Sequence, residues 1–176
     1  MNLRNMASVY IFNGNKVLLM KKNRSKIFSK PDTVLWCPIG GHFENEELNN
    51  PDKCVIRELF EETSFKESDI KNLELKYITI RIKDMEIRQQ YIYFADLANI
   101  NAALSECDEG EMYWIKTDDI FKLEMSFTNT QCLSHYFQNI QNGKKDKFIY
   151  VGVSGISGDN MPKVVFTPLR DFYTAY

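Results

Sequence analysis

The chain has 176 residues, 44% hydrophobic and 13% aromatic, with a formal net charge of −2. That length fits one domain over residues 1–176 with a full core, and the near-neutral balance excludes bulk nucleic-acid binding through positive charge. Cys37, Cys54, Cys107 and Cys132 form no C-x-x-C pair, no signal-peptide pattern opens the chain and no apolar run approaches about 18 residues, so a cytoplasmic protein with reduced thiols and no membrane span is expected.

Ala7 to Phe12 predicts a strand, Asn13-Gly14 a two-residue hairpin turn, and Val17 to Met20 the returning strand. The return runs into Lys21, Lys22 and Arg24 and a polar loop through Lys30-Pro31-Asp32. Val34 to Cys37 reads as a short buried strand feeding Gly40-Gly41, with Trp36 in the core and His42 as a loop residue with a hydrogen-bonding role. Asn50 followed by Pro51 fits an N-cap with Pro at the first helical position, and the helix runs to about Ser64. Leu73 to Ile82 and Ile87 to Ala95, joined by Lys83 to Glu86, read as a long antiparallel hairpin; Arg81, Lys83 and Arg88 near its turn mark a solvated tip or a pocket rim. Glu106 to Trp114 is an acidic loop running into a strand. Asp118 to Leu123 and Asn129 to Asn142 read as helical, with Gly143 as a stop, and Cys132, Leu133, Tyr136, Phe137 and Ile140 form the packing side of the second. After Lys144 to Lys147, Phe148 to Val153 and Val164 to Pro168 form a terminal hairpin, read as a sheet extension or a dimer edge, so a homodimer stays open.

The predicted helix after Asn50 carries unusual chemistry. At about 100° of rotation per residue, Glu58, Glu61 and Glu62 share one arc, with Val55, Ile56, Leu59 and Phe60 placed opposite. Like charges at these spacings repel. An acidic face can simply be solvated. A divalent cation would offset the repulsion, and hard cations such as Mg²⁺ take carboxylate oxygens alongside water and substrate phosphates.

The stretch Gly41 to Phe65 resembles the Nudix box, the signature of the MutT-like Nudix hydrolases. The resemblance rests on Gly41, Glu47, Arg57-Glu58, Leu59, Glu61-Glu62 and Phe65, about 25 of the 176 residues. Two departures stand out. Nine residues separate Glu47 from Arg57, two more than the family pattern, and the slack lies at Asn49, Asn50 and Pro51. Ser64 replaces the closing Gly, a tolerable change where φ must be positive. Ile39 also intervenes between Pro38 and the glycines.

The resemblance implies an α/β fold, an α/β/α sandwich with a mixed sheet, here ending in the C-terminal β-hairpin. It implies Mg²⁺-dependent hydrolysis of a diphosphate linkage in a small nucleoside diphosphate derivative, with Mn²⁺ as a substitute. It assigns metal binding to Glu61 and Glu62 and to the Gly40 carbonyl, and makes Glu58 a ligand or the base that activates water. Arg57 is implied to orient a carboxylate, with Glu44 and Glu47 in the surrounding ring of ligands or salt bridges. One carboxylate of the acidic loop joins as ligand or base, Glu109 ahead of Asp108 and Glu111. One of Lys21, Lys22 and Arg24 is a candidate contact for substrate phosphate. The GGHFE opening and modest length are similar to the 8-oxo-dGTP diphosphatase type. Sugar- or dinucleotide-diphosphate hydrolases, and a domain that binds a nucleotide without cleaving it, are the alternatives.

Overall fold

The computed structural model describes residues 1–23, 34–140 and 147–171, and Ile140 without its side chain. The chain opens with β1 (Asn2–Asn13) and β2 (Lys16–Asn23), an antiparallel hairpin closed by the pair Asn13↔Lys16. Its turn is therefore Gly14-Asn15, one residue later than expected, and Gly14 takes the left-handed φ of 59° that the tight turn demands. Then come β3 (Val34–Cys37), β4 (Ile39–His42), a 3-10 turn over Asn45–Glu47, and helix α1 (Pro51–Thr63). The long hairpin is β5 (Ile70–Lys83) and β6 (Glu86–Leu97). After it come β7 (Glu111–Lys116), a 3-10 segment over Thr117–Lys122, α2 (Phe127–Ile140), and the terminal hairpin β8 (Tyr150–Ile156) and β9 (Pro162–Pro168). The expected loop through Arg24 and Lys30-Pro31-Asp32, the stop at Gly143 and the run Lys144-Lys145-Asp146 lie outside the described residues.

One mixed sheet runs β3-β2-β1-β6-β5-β8-β9, with β4 added on β1 and β7 on β2. Strand β1 divides its length between partners. Met6 to Val9 pair with β4, Ile11 to Asn13 pair with β2, and Asn2 to Phe12 pair in parallel with β6 on the other side. The terminal hairpin extends this sheet, because β8 joins β5 in parallel over Tyr77 to Ile80.

Both faces of the sheet are covered, as strand parity requires. Ala7, Val9 and Ile11 of β1 and Leu18 and Met20 of β2 enter one core with Cys54, Val55 and Leu59 of α1. Tyr10, Val17 and Leu19, at the alternate positions, enter a second core with Cys132 and Leu133 of α2. Burying a side chain such as Val55 or Leu59 contributes about 1.5–3 kcal/mol. Trp36 is half-buried at the margin of the second core, edge-on to Tyr113.

The faces of α1 differ from expectation in one respect. Phe60, placed on the apolar side by periodicity, is 53% exposed, whereas Glu58 and Glu62 are buried. The helix is rolled so that its carboxylates meet β4 and only Glu61 of the three is exposed. Burial of two carboxylates costs free energy unless polar partners meet them, and the next section gives those partners. Among the described residues, no helix is long and apolar enough to cross a membrane.

Candidate active site

Helix α1 is held at both ends by its own sequence. The Asn50 side chain accepts from the Lys53 N–H at 3.0 Å, and Pro51 occupies the first turn where its missing N–H costs nothing. At the far end Ser64 adopts φ 62° and donates its N–H to Phe60 O at 2.8 Å. This is the left-handed cap that glycine usually supplies.

The glycine pair lets α1 approach β4 closely. A Cβ on Gly40, whose φ is 144°, would stand 2.2 Å from Ala7 O. A Cβ on Gly41 would stand 2.5 Å from Glu58 Oε1, so only glycine leaves room for that carboxylate. The Gly40 N–H donates to Glu62 Oε2 at 2.8 Å. Glu62 Oε1 is buried with no hydrogen-bond partner among the described residues, and Lys22 Nζ is 3.8 Å from it. The same ammonium donates to Glu109 Oε2 at 2.6 Å. Lys22 thus links α1 to the acidic loop.

Arg57 is the hub of the remaining charges. Its Nε and Nη2 donate to the two oxygens of Glu47, at 2.8 and 3.0 Å. Nη1 lies 2.8 Å from Glu61 Oε2 and 2.9 Å from Glu58 Oε1, and Nη2 also donates to His42 O at 2.9 Å. The expectation that Arg57 orients a carboxylate corresponds to this fork on Glu47. His42 lies in β4, opposite Met6, and not in a loop.

The acidic loop contributes unequally. Glu106, Asp108 and Glu109 close a cleft of ≈290 Å³ over Glu58, Glu61 and Glu62. Glu111 is not among the cleft's residues; it lies in β7 and accepts from the Tyr113 hydroxyl. The cleft therefore separates Glu111 from the other two candidates.

Proton affinities follow the geometry. Burial pushes Glu62 up to about 7, with Glu109 and Glu58 adding to it against the Gly40 N–H and Lys22. Burial also raises Glu58, helped by Glu61 and Glu109 and opposed by Arg57. The Arg57 fork holds Glu47 down at about 2. Both shifts are led by burial, so Glu58 and Glu62 are short of solvent, and Glu62 Oε1 is without a hydrogen-bond partner among the described residues. Among the described residues, no three His, Cys, Asp or Glu side chains converge as a ready-made metal set. The donors still suit a hard divalent cation: all are oxygens, and Glu62 Oε1 needs a partner.

Lys22 was one of three candidate cations in the sequence, and the structure brings it to the site. Lys22 had a usable signal in strand parity, because Leu18, Met20 and Lys22 alternate onto the α1 face of β2. Glu47 was placed by the box among the surrounding ligands or salt bridges; its pairing with Arg57 and its 1% exposure depend on how the widened loop folds back.

A model of the NUDIX domain matches residues 2–136. The chain belongs to the Nudix family. It is a pyrophosphohydrolase of the kind that acts on nucleoside diphosphate derivatives, in a family that generally uses divalent metals. Solved structures with the same fold include a mutator MutT protein from Bacillus halodurans (20% identity, TM-score 0.64, covering 93% of this chain and 97% of that one). A C. elegans Ap4A hydrolase in a binary complex is similar at 16% identity and TM-score 0.58, over 81% of this chain and 99% of that one. The Nudix domain of Shewanella oneidensis NrtR complexed with ADP ribose is similar at 16% identity and TM-score 0.55, over 80% and 88%. The β8–β9 hairpin lies beyond the residues matched by the family model.

Proposed function

We propose that this Nudix protein hydrolyses the diphosphate linkage of a nucleoside di- or triphosphate derivative with Mg²⁺, which Mn²⁺ can replace. Gly40 through its carbonyl, Glu58, Glu61, Glu62 and Glu109 would hold the metal. The observation that carries this reading is the buried Oε1 of Glu62, without a hydrogen-bond partner among the described residues, beside Glu58 and Glu109 in one cleft. A bound divalent cation would neutralise charge developing on the phosphates and lower the pKa of a coordinated water.

The chain's own groups supply positioning. Gly40 N–H fixes the plane of Glu62 through Oε2 and leaves Oε1 facing Lys22 without a hydrogen bond among the described residues. Arg57 sets Glu58 and Glu61 and is itself held by Glu47. Glu58, with its raised proton affinity, is suited to take a proton from an attacking water. Lys22 is the cation best placed to meet a substrate phosphate once Glu109 turns elsewhere.

The opening Gly40-Gly41-His42-Phe43-Glu44 and the modest length resemble the 8-oxo-dGTP diphosphatase type, which makes an oxidised nucleotide such as 8-oxo-dGTP the first substrate to test. The test is release of phosphate or pyrophosphate from a panel of 8-oxo-dGTP, a dinucleoside polyphosphate, ADP-ribose and a nucleotide sugar, with Mg²⁺ and with EDTA. Metal-dependent turnover of the oxidised nucleotide well above the rest is expected. Turnover unaffected by EDTA or by Glu62→Gln would overturn the site assignment. Preference for another panel member would overturn the substrate alone.

A further inference from the structure

Arg4 of β1, Arg88 of β6 and Arg81 of β5 stand in one row across three neighbouring strands. Arg4 is registered with Arg88, and Arg88 with Arg81. Registered partners point to the same face of a sheet. Here it is the α2 face, because Tyr10, Ile92 and Tyr77 lie at even offsets along the same strands and belong to the α2-side core. The Nudix carboxylates of α1 approach the sheet from the other face.

Like charges placed directly opposite destabilise a sheet, so three guanidiniums in register call for compensation. One carboxylate, Glu86, serves two of them, with Oε1 at 3.1 Å from Arg4 Nε and Oε2 at 2.7 Å from Arg88 Nε. Arg81 has no carboxylate partner among the described residues and is only partly exposed. Its charge is opposed by burial and by Arg88, yet a guanidinium stays charged. A cleft of ≈320 Å³ opens beside it. Lys163 of β9, Thr128 in the first turn of α2 and Ser154 of β8 line that cleft, and among the described residues no carboxylate does. Ser154 Oγ is buried there without a hydrogen-bond partner among the described residues. The environment is the reverse of the α1 cleft, with surplus positive charge and unused polar hydrogens.

We propose that Arg81, with Lys163, Thr128 and Ser154, forms a second anion site, which binds a phosphate group of a nucleotide. A guanidinium can grip two phosphate oxygens in a fixed plane, and the neighbouring hydroxyls can serve the remaining lone pairs. The site goes beyond the proposed hydrolase reading. Arg4 lies four residues from Ser8, the partner of Gly40, about 13 Å along β1. Because the two clefts open on opposite faces of the sheet, this site takes a nucleotide separate from the one held at α1.

The test is calorimetric titration in EDTA with inorganic pyrophosphate and with ADP, so it needs neither metal nor hydrolysis. Wild type and Glu62→Gln are expected to bind, with affinity falling as salt rises. Arg81→Gln and the surface variant Lys163→Gln should bind at least tenfold more weakly, and Lys53→Gln on exposed α1 should bind as wild type. Arg81→Gln should melt no lower than wild type at low salt, since it removes a repulsion. The proposal is overturned if neither probe binds wild type at millimolar levels, or if both Arg81→Gln and Lys163→Gln bind undiminished. Absence of hydrolysis with intact EDTA-resistant binding would count against the hydrolase reading only.

Discussion

Arg57 grips Glu47 through two hydrogen bonds, Nε to Oε1 at 2.8 Å and Nη2 to Oε2 at 3.0 Å, across ten residues of sequence. The pair fastens the widened loop to α1. Glu47 Oε2 also accepts from the Glu44 N–H at 2.9 Å, so the loop's own turn is tied to the same carboxylate. The two extra residues before Pro51 are thereby kept away from the cleft.

Arg57→Lys retains the charge and loses the fork. A lysine can satisfy one oxygen of Glu47 but cannot also set Glu58 and Glu61. We expect kcat to fall at least tenfold, because a displacement of about 1 Å in a catalytic group can cost on the order of 10²-fold. Arg57→Ala leaves buried Glu47 unpaired and should cost about 3–5 kcal/mol in denaturant unfolding. Wild-type kinetics in Arg57→Lys would reduce Arg57 to a surface charge.

The same pair predicts an acid limb. Glu47 is held at about 2 in the folded protein, below the value of a free carboxyl. Its stabilisation is fully present above pH of about 4.3 and is lost as pH falls through the folded value. Glu47→Gln should flatten the decline in melting temperature between about pH 4.5 and 2. An unaltered acid limb would separate Glu47 from acid unfolding.

Glu62 predicts the opposite slope. Without a cation its pKa is about 7, so the folded state holds the proton more tightly than the unfolded chain. Stability in EDTA should therefore fall as pH rises from about 4.3 to about 7, by at most about 4 kcal/mol. Glu62→Gln should remove that slope. Adding Mg²⁺ or Mn²⁺ to wild type at pH 8 should restore stability, by about 2.7 kcal/mol at a hundredfold excess over Kd. A melting temperature indifferent to millimolar metal would argue against a cation in this cleft.

Ser64 sits in a left-handed conformation that costs a non-glycine residue about 1–2 kcal/mol. Glycine would recover much of that cost and lose some to the unfolded chain. Ser64→Gly is expected to raise the melting temperature by about 2–4 °C, as about 1 kcal/mol does in a domain of this size. No change would mean that the cap is relaxed in solution.

Local features of this chain were legible in its sequence. The Asn50-Pro51 start of α1, the Ser64 exception and the paired glycines each show their backbone chemistry in the residue type. The apolar run Ala7 to Phe12 was legible as a strand, though its two cores, Val9 on one face and Tyr10 on the other, came from the structure. The roll of α1 was not legible. Periodicity defines an arc of carboxylates but not what it meets, and it took the close approach of Gly41 to turn Glu58 inward and Phe60 outward. Cross-strand partnerships were hidden for a similar reason. Nothing local in Arg4, Arg81 or Arg88 says that three distant positions share one row, because register depends on which strands become neighbours.

The parallel pairing of β1 with β6 also has a consequence in time. Asn2 pairs with Glu86 and Phe12 with Asp96, so the middle of the sheet is made from the first and the later parts of the chain. At about 5–20 residues per second of synthesis, β6 leaves the ribosome several seconds after β1. During that interval Val9, Tyr10 and Ile11 lack the strand that will cover one of their edges, and α1 has only half a platform to dock on. The carboxylate cleft therefore cannot assemble on the growing chain until residues well beyond the box have emerged. A ribosome paused before Leu97 would hold a nascent chain with one edge of β1 unpaired and its own site unable to close.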